Sequence, residues 1–161
     1  MGARWAALAL GGLLLLAGCR GVPWRPEAFN QAARVEAMEL TFQPDGTGLL
    51  TLRLRVHNPS SDAALLTEVD FELAVDGRRL AMGLQQVEVA LGNDGQPHMV
   101  ELAFPLVSEG AVSQEPGVLR TVQLRGGALL RYGASTERRA PFELMRKQRV
   151  PSVPLPEPTL E

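Results

Sequence analysis

The sequence predicts an all-β fold, an antiparallel sandwich of about seven strands. Apolar residues recur at every second position in segment after segment, the period of a strand with one face in a core and one in water. Gly, Pro, Asn and Asp punctuate those segments at regular intervals, as hairpin turns require. Nearly every segment keeps a polar face, whereas parallel strands buried on both sides carry unbroken apolar runs. At 161 residues, 45% hydrophobic and 21% charged, the chain suffices for one globular domain with appendages.

Taken in order, Met38, Leu40 and Phe42 alternate with Glu39 and Thr41. Leu50, Leu52, Leu54 and Val56 then alternate with Thr51, Arg53, Arg55 and His57, and Asp45-Gly46 between the two segments predicts a tight hairpin. The next alternation places Val69, Phe71, Leu73 and Val75 inward, with Glu68, Asp70, Glu72 and Ala74 outward. Asp76-Gly77 turns it into Arg78–Leu84, and Val87, Val89 and Leu91 follow. Beyond a polar turn at Gly92-Asn93-Asp94-Gly95, Val100, Leu102, Phe104 and Leu106 alternate with Glu101, Ala103 and Pro105. Pro105 lacks a ladder donor and predicts an edge strand or a strand end. The less periodic segment Ser108–Leu124, with Val112, Val118, Leu119 and Val122, is predicted as a short helix across one end of the fold. Two closing strands carry Leu130 with Tyr132, then Phe142, Leu144 and Val150. Residues 152–161 form a proline-rich tail, predicted to be extended and disordered.

The N-terminus differs in kind. Arg4 precedes an uncharged stretch from Trp5 to Ala17, the length of a secretory h-region and short of the ~20 residues that span a bilayer. The run ends at Leu16-Ala17-Gly18-Cys19, which resembles the bacterial lipobox, where small residues admit lipoprotein signal peptidase to the bond before a diacylglyceryl-modified cysteine. Cys19 is the single cysteine, so an intrachain disulfide is excluded, and a metal site would lack clustered partners because the histidines are His57 and His98. A plain cleaved signal and an uncleaved anchor are the competing readings of this segment. Residues 1–18 are thus predicted as a signal peptide and 19–33 as a lipidated tether, in which Trp24 and Phe29 pack on the domain or on lipid headgroups. Arg20, in place of an aspartate, predicts sorting to the outer membrane of a diderm bacterium, with the domain on the periplasmic face.

Within the predicted domain, residues 34–151, a further pattern emerges. Asn58-Pro59 follows the second strand, then come the Leu66–Val75 strand, the Asp76-Gly77 turn, and Ala81 with Gly83. Val100–Leu106, Arg131-Tyr132-Gly133-Ala134, and Pro141, Phe142, Val150 and Pro151 continue it. The order resembles the group 2 late embryogenesis abundant (LEA type 2) proteins and their WHy (water stress and hypersensitive response) domain. The resemblance implies a seven-stranded sandwich of the fibronectin type III or immunoglobulin kind with one short helix, a role in tolerance of desiccation, and no catalytic residues. Asn58-Pro59 also has a local rationale: proline biases Asn58 to extended geometry, and the amide bonds nearby backbone to end a strand.

Little else carries chemistry. His57 has no nucleophile or orienting carboxylate in a readable arrangement. Glu68, Asp70 and Glu72 read as a solvated face, paired across strands with Arg53 and Arg55 or with Arg78 and Arg79. Gly92–Gly95 lacks the spaced ligands of a calcium loop. Arg138, Arg139, Arg146, Lys147 and Arg149 read as an exposed edge, or as a patch for headgroups or anionic sugars. The net charge of −2, from 16 basic and 18 acidic side chains, predicts no nucleic-acid partner. No cofactor, metal or small-molecule substrate is expected. The functional expectation is a non-enzymatic, membrane-anchored lipoprotein in desiccation or envelope stress protection. The alternative is an accessory subunit of an envelope complex.

Overall fold

The computed structural model describes residues 22, 25–42, 47–107 and 118–149. Seven strands follow a 3-10 turn at Pro26–Phe29: β1 Ala33–Phe42, β2 Thr47–Val56, β3 Ala64–Val75, β4 Arg78–Leu91, β5 His98–Val107, β6 Leu119–Tyr132 and β7 Thr136–Arg149. They form a three-stranded sheet, β1-β2-β5, and a four-stranded sheet, β4-β3-β6-β7. Every pairing is antiparallel. Placing β4 beside β3, rather than on the sheet of β1 and β2, is the fibronectin type III arrangement and departs from the constant immunoglobulin one.

The inner faces meet as the alternation requires. Leu50, Leu52, Leu54 and Val56 are fully buried on β2, facing Val69, Phe71, Leu73 and Val75 of β3 and Val122, Leu124 and Leu130 of β6. Each such side chain stabilises the fold by about 1.5–3 kcal/mol relative to exposure. Phe71 and Phe104 join the two sheets with ring centroids 4.5 Å apart, tilted by 58°. β1, β5, β4 and β7 are the sheet edges, and Pro105 lies on β5 as expected. Pro141 lies on β7, another edge, where a missing N–H also blunts pairing with a further strand.

One expected element is corrected. Leu119–Leu124, placed in a helix by the sequence reading, is the first half of β6, and Ser108–Gly117 lies outside the described residues. Val122 and Leu124 point inward between half-buried Thr121 and Gln123, which is a strand period, while Val118 and Leu119 are exposed and belong to no apolar face. Among the described residues the helical turn is Pro26–Phe29, with proline near its start, where the missing N–H costs nothing. It lies in the segment read as tether, and its Phe29 is fully buried. Of the two readings for Phe29, packing on the domain is the one the structure shows; Trp24 lies outside the described residues.

Candidate functional site

The residues of the predicted motif come together at two places. Asn58 stands two residues after β2 and is 3% exposed. Its Nδ2 donates to the carbonyls of Asp62 at 2.6 Å and Gly92 at 2.8 Å. Its Oδ1 accepts from the Ser60 N–H at 3.0 Å and from the Tyr132 hydroxyl at 2.7 Å. Both donors and both lone pairs of the amide are therefore used. Buried Ser60 extends the hub, its Oγ accepting from the Asp62 N–H at 3.0 Å. Asn58 thus ties the β2–β3 connection to the ends of β4 and β6. The bonds to Ser60 and Asp62 are the local ones that strand termination implies; those to Gly92 and Tyr132 join positions far apart in the chain and needed the fold to be seen. The Tyr132 ring in turn meets the Phe29 ring edge-on, with centroids 6.3 Å apart.

Burial pushes the Tyr132 phenol up to about 12. Because the folded-state value lies above the unfolded one, near 10, the stability it supplies is complete below pH 10 and is lost as pH rises through 12. Tyr132 is the single tyrosine, so tyrosinate absorbance in an alkaline titration reports it alone. The midpoint is expected near 12 in the native protein and near 10 in urea; a native midpoint at 10 contradicts the burial.

At the opposite end of β3, Asp76 and Gly77 have φ of +49° and +77°, the two positive angles of a type I′ hairpin. The Asp76 N–H donates to the Thr121 carbonyl at 2.8 Å, and its carboxylate accepts from the Thr121 N–H and the Arg120 guanidinium, each at 2.9 Å. Those bonds, the backbone one foremost, hold its carboxyl below the usual range. Gly83 has a packing role: a Cβ there would lie 2.5 Å from the Phe71 ring, which packs against Phe104. Pro59 follows Asn58 and biases its backbone toward extended geometry. Leu16, Ala17, Gly18 and Cys19 lie outside the described residues, as do Asp45, Gly46, Val112, Val150 and Pro151.

The outer faces carry paired charges, with different partners from those expected. Asp70 takes both Nε (3.1 Å) and Nη2 (2.6 Å) of Arg139, and Glu68 accepts from Gln86 at 2.6 Å. Arg53 pairs with Glu101 at 2.8 Å and Arg55 with Glu36 at 3.5 Å. The correction follows from topology: β2 and β3 lie in different sheets, so their outer faces point apart, and Arg78 and Arg79 sit opposite Val75 and Ala74 at the far end of β4. Such exposed pairs contribute about 0–1 kcal/mol each. Among the described residues no group of His, Cys, Asp and Glu is placed to hold a metal ion, and no nucleophile or carboxylate is bonded to His57. Asp94 caps its own turn, accepting from the Gln96 N–H at 3.1 Å. Arg146 clamps β7 to the other sheet through the Met38 carbonyl at 2.5 Å.

A groove of about 820 Å³ crosses from the outer face of β6 and β7 to the start of β1. Arg34, Arg125, Arg139 and Glu143 line it, together with Asn30, Gln31, Gly126 and Pro141. Next to Gly126, the Arg139 guanidinium lies over Gly127 in the space that a side chain there would fill. Gln123 (2.8 Å) and the Arg125 Nε (3.2 Å) both donate to Glu143 and hold its carboxyl below the usual range. The sequence reading missed this groove because its residues come from three separated segments.

The fold and its hub define an all-β sandwich with a three-plus-four sheet arrangement. Among known proteins, no family model and no curated relative matches the sequence. Solved structures share the fold. The solution structure of AT1g01470 from Arabidopsis thaliana superposes with a TM-score of 0.61 at 18% identity, covering 78% of this chain and 85% of that one. A structure described as that of a late embryogenesis abundant (LEA) protein, At2g46140.1, gives 0.52 at 14% identity, covering 74% and 71%. A protein from Archaeoglobus fulgidus gives 0.53 at 10% identity, covering 72% and 97%. At these identities the likeness is one of fold, and it agrees with the architecture that the family resemblance implied.

Proposed function

We propose that this chain is a membrane-anchored, non-enzymatic lipoprotein of the LEA type 2/WHy kind, acting in desiccation or envelope stress protection. The observation that carries this reading is the shared sandwich fold with a LEA protein, together with motif residues that serve packing and turns rather than chemistry. Diacylglyceryl-modified Cys19 holds it in the bilayer, and Arg20 directs it to the periplasmic face of the outer membrane. Six residues separate Cys19 from Pro26, a span of seven Cα–Cα steps, so the folded domain stays within about 25 Å of its anchor. On drying, the ion-paired outer faces supply hydrogen-bonding groups that replace water around membrane or client proteins.

The test is survival of a deletion strain after drying and rehydration. Survival is expected to fall on deletion, to return with the wild-type gene, and to stay low with Cys19→Ala. Parent-like survival of the deletion strain contradicts the reading. The second reading, an accessory subunit, is favoured by Met82 and Leu84, which stand 64% and 57% exposed on the edge strand β4. It predicts one stoichiometric partner recovered with the wild-type protein from membranes and lost with Met82→Glu.

A further inference from the structure

The groove beside β7 gathers like charges. Three arginines line it against one lining carboxylate, Glu143, and their mutual repulsion is only partly offset by Glu143 and by Asp70 behind Arg139. Their donors are also incompletely used. Arg139 spends Nε and Nη2 on Asp70, and Arg125 spends Nε on Glu143, leaving Nη1 of the first and both Nη groups of the second without a hydrogen bond among the described residues. The Arg34 side chain makes no hydrogen bond or ion pair there.

The surroundings favour a ligand. Asp70 holds the Arg139 guanidinium in place ahead of any ligand, and the amide residues Asn30 and Gln31 also line the groove. The volume, about 820 Å³, falls within the roughly 300–1,000 Å³ of small-molecule clefts. Three guanidinium groups lining one groove, each with N–H donors left over, suit a tetrahedral oxyanion, whose several oxygens can accept from more than one arginine at once. We propose that the groove is an oxyanion site for a phosphate group, whether of a phospholipid head or of a free phosphate. It stands on the groove alone and does not depend on acylation of Cys19.

The test uses the full chain purified in dodecyl maltoside, with the Gly126 and Gly127 amides and the arginine Nε–H signals followed by NMR. Inorganic phosphate and dihexanoyl phosphatidylglycerol are titrated separately at constant ionic strength. A saturable shift is expected, with Arg34→Gln and Arg125→Gln each weakening it roughly tenfold, the worth of one charged hydrogen bond. Arg78→Gln, on the distant β3–β4 hairpin, should leave it unchanged. Saturation by inorganic phosphate assigns the site to phosphate itself; saturation by the lipid alone assigns it to a headgroup. Absence of saturation with both probes, unchanged binding in both groove variants, or equal weakening by Arg78→Gln overturns the proposal.

Discussion

Asn58→Ala is expected to cost about 3–5 kcal/mol of stability, the upper end for a single substitution. The change strips four hydrogen bonds at once and leaves the Asp62 and Gly92 carbonyls, the Ser60 N–H and the Tyr132 hydroxyl without that partner. Each buried polar group so orphaned costs about 1–3 kcal/mol, and water entering the space recovers part of it. Against a total stability of about 5–15 kcal/mol, the loss leaves a marginal fold. Tyr132→Phe removes one of the four bonds and keeps the ring against Phe29, so about 1 kcal/mol is expected. The double variant should cost less than the sum, because the phenylalanine no longer presents a hydroxyl to be orphaned. Urea unfolding followed by circular dichroism measures all three; an Asn58→Ala variant within 1 kcal/mol of wild type means that the hub does not hold the sandwich together.

How far the sequence could be read depended on whether one period persisted. β2 and β5 keep strict alternation from end to end, and every inward residue expected on them is buried. β1 is harder: Ala33 and Met38 both face inward although five positions apart, because the register shifts between Val35 and Ala37. A bulge exchanges the two faces, so the alternation read from Met38 onward does not extend back through the first half of the strand, and its first residue, Ala33, falls in the predicted tether. β3 hides a similar shift between Leu66 and Glu68, which lets Leu66 and Val69 share the core. In β6, Gly126 and Gly127 interrupt the apolar pattern: Phe142 fills the space over the first and Arg139 covers the second, so neighbouring strands supply the side chains that the strand itself lacks. The candidate sites divide in the same way. Asp76-Gly77 is a local turn and was legible, whereas the reach of Asn58 to Tyr132 and the convergence of Arg34, Arg125 and Arg139 depend on sheet order.

Cys19→Ala is expected to have the largest effect on where the protein resides. Each buried CH₂ contributes about 0.8 kcal/mol, so one acyl chain binds reversibly while two or three hold a protein on a membrane. No helix among the described residues is long and apolar enough to cross a bilayer, which is silent on residues 1–21. Residual binding by an uncleaved Trp5–Ala17 run is therefore the competing outcome. Labelled palmitate incorporation, followed by membrane fractionation and a salt wash, separates the two. The proposal predicts a labelled wild-type protein that stays with membranes through the wash and a Cys19→Ala protein that is unlabelled and soluble; an unlabelled wild type, or a variant that stays in the membrane fraction, contradicts it.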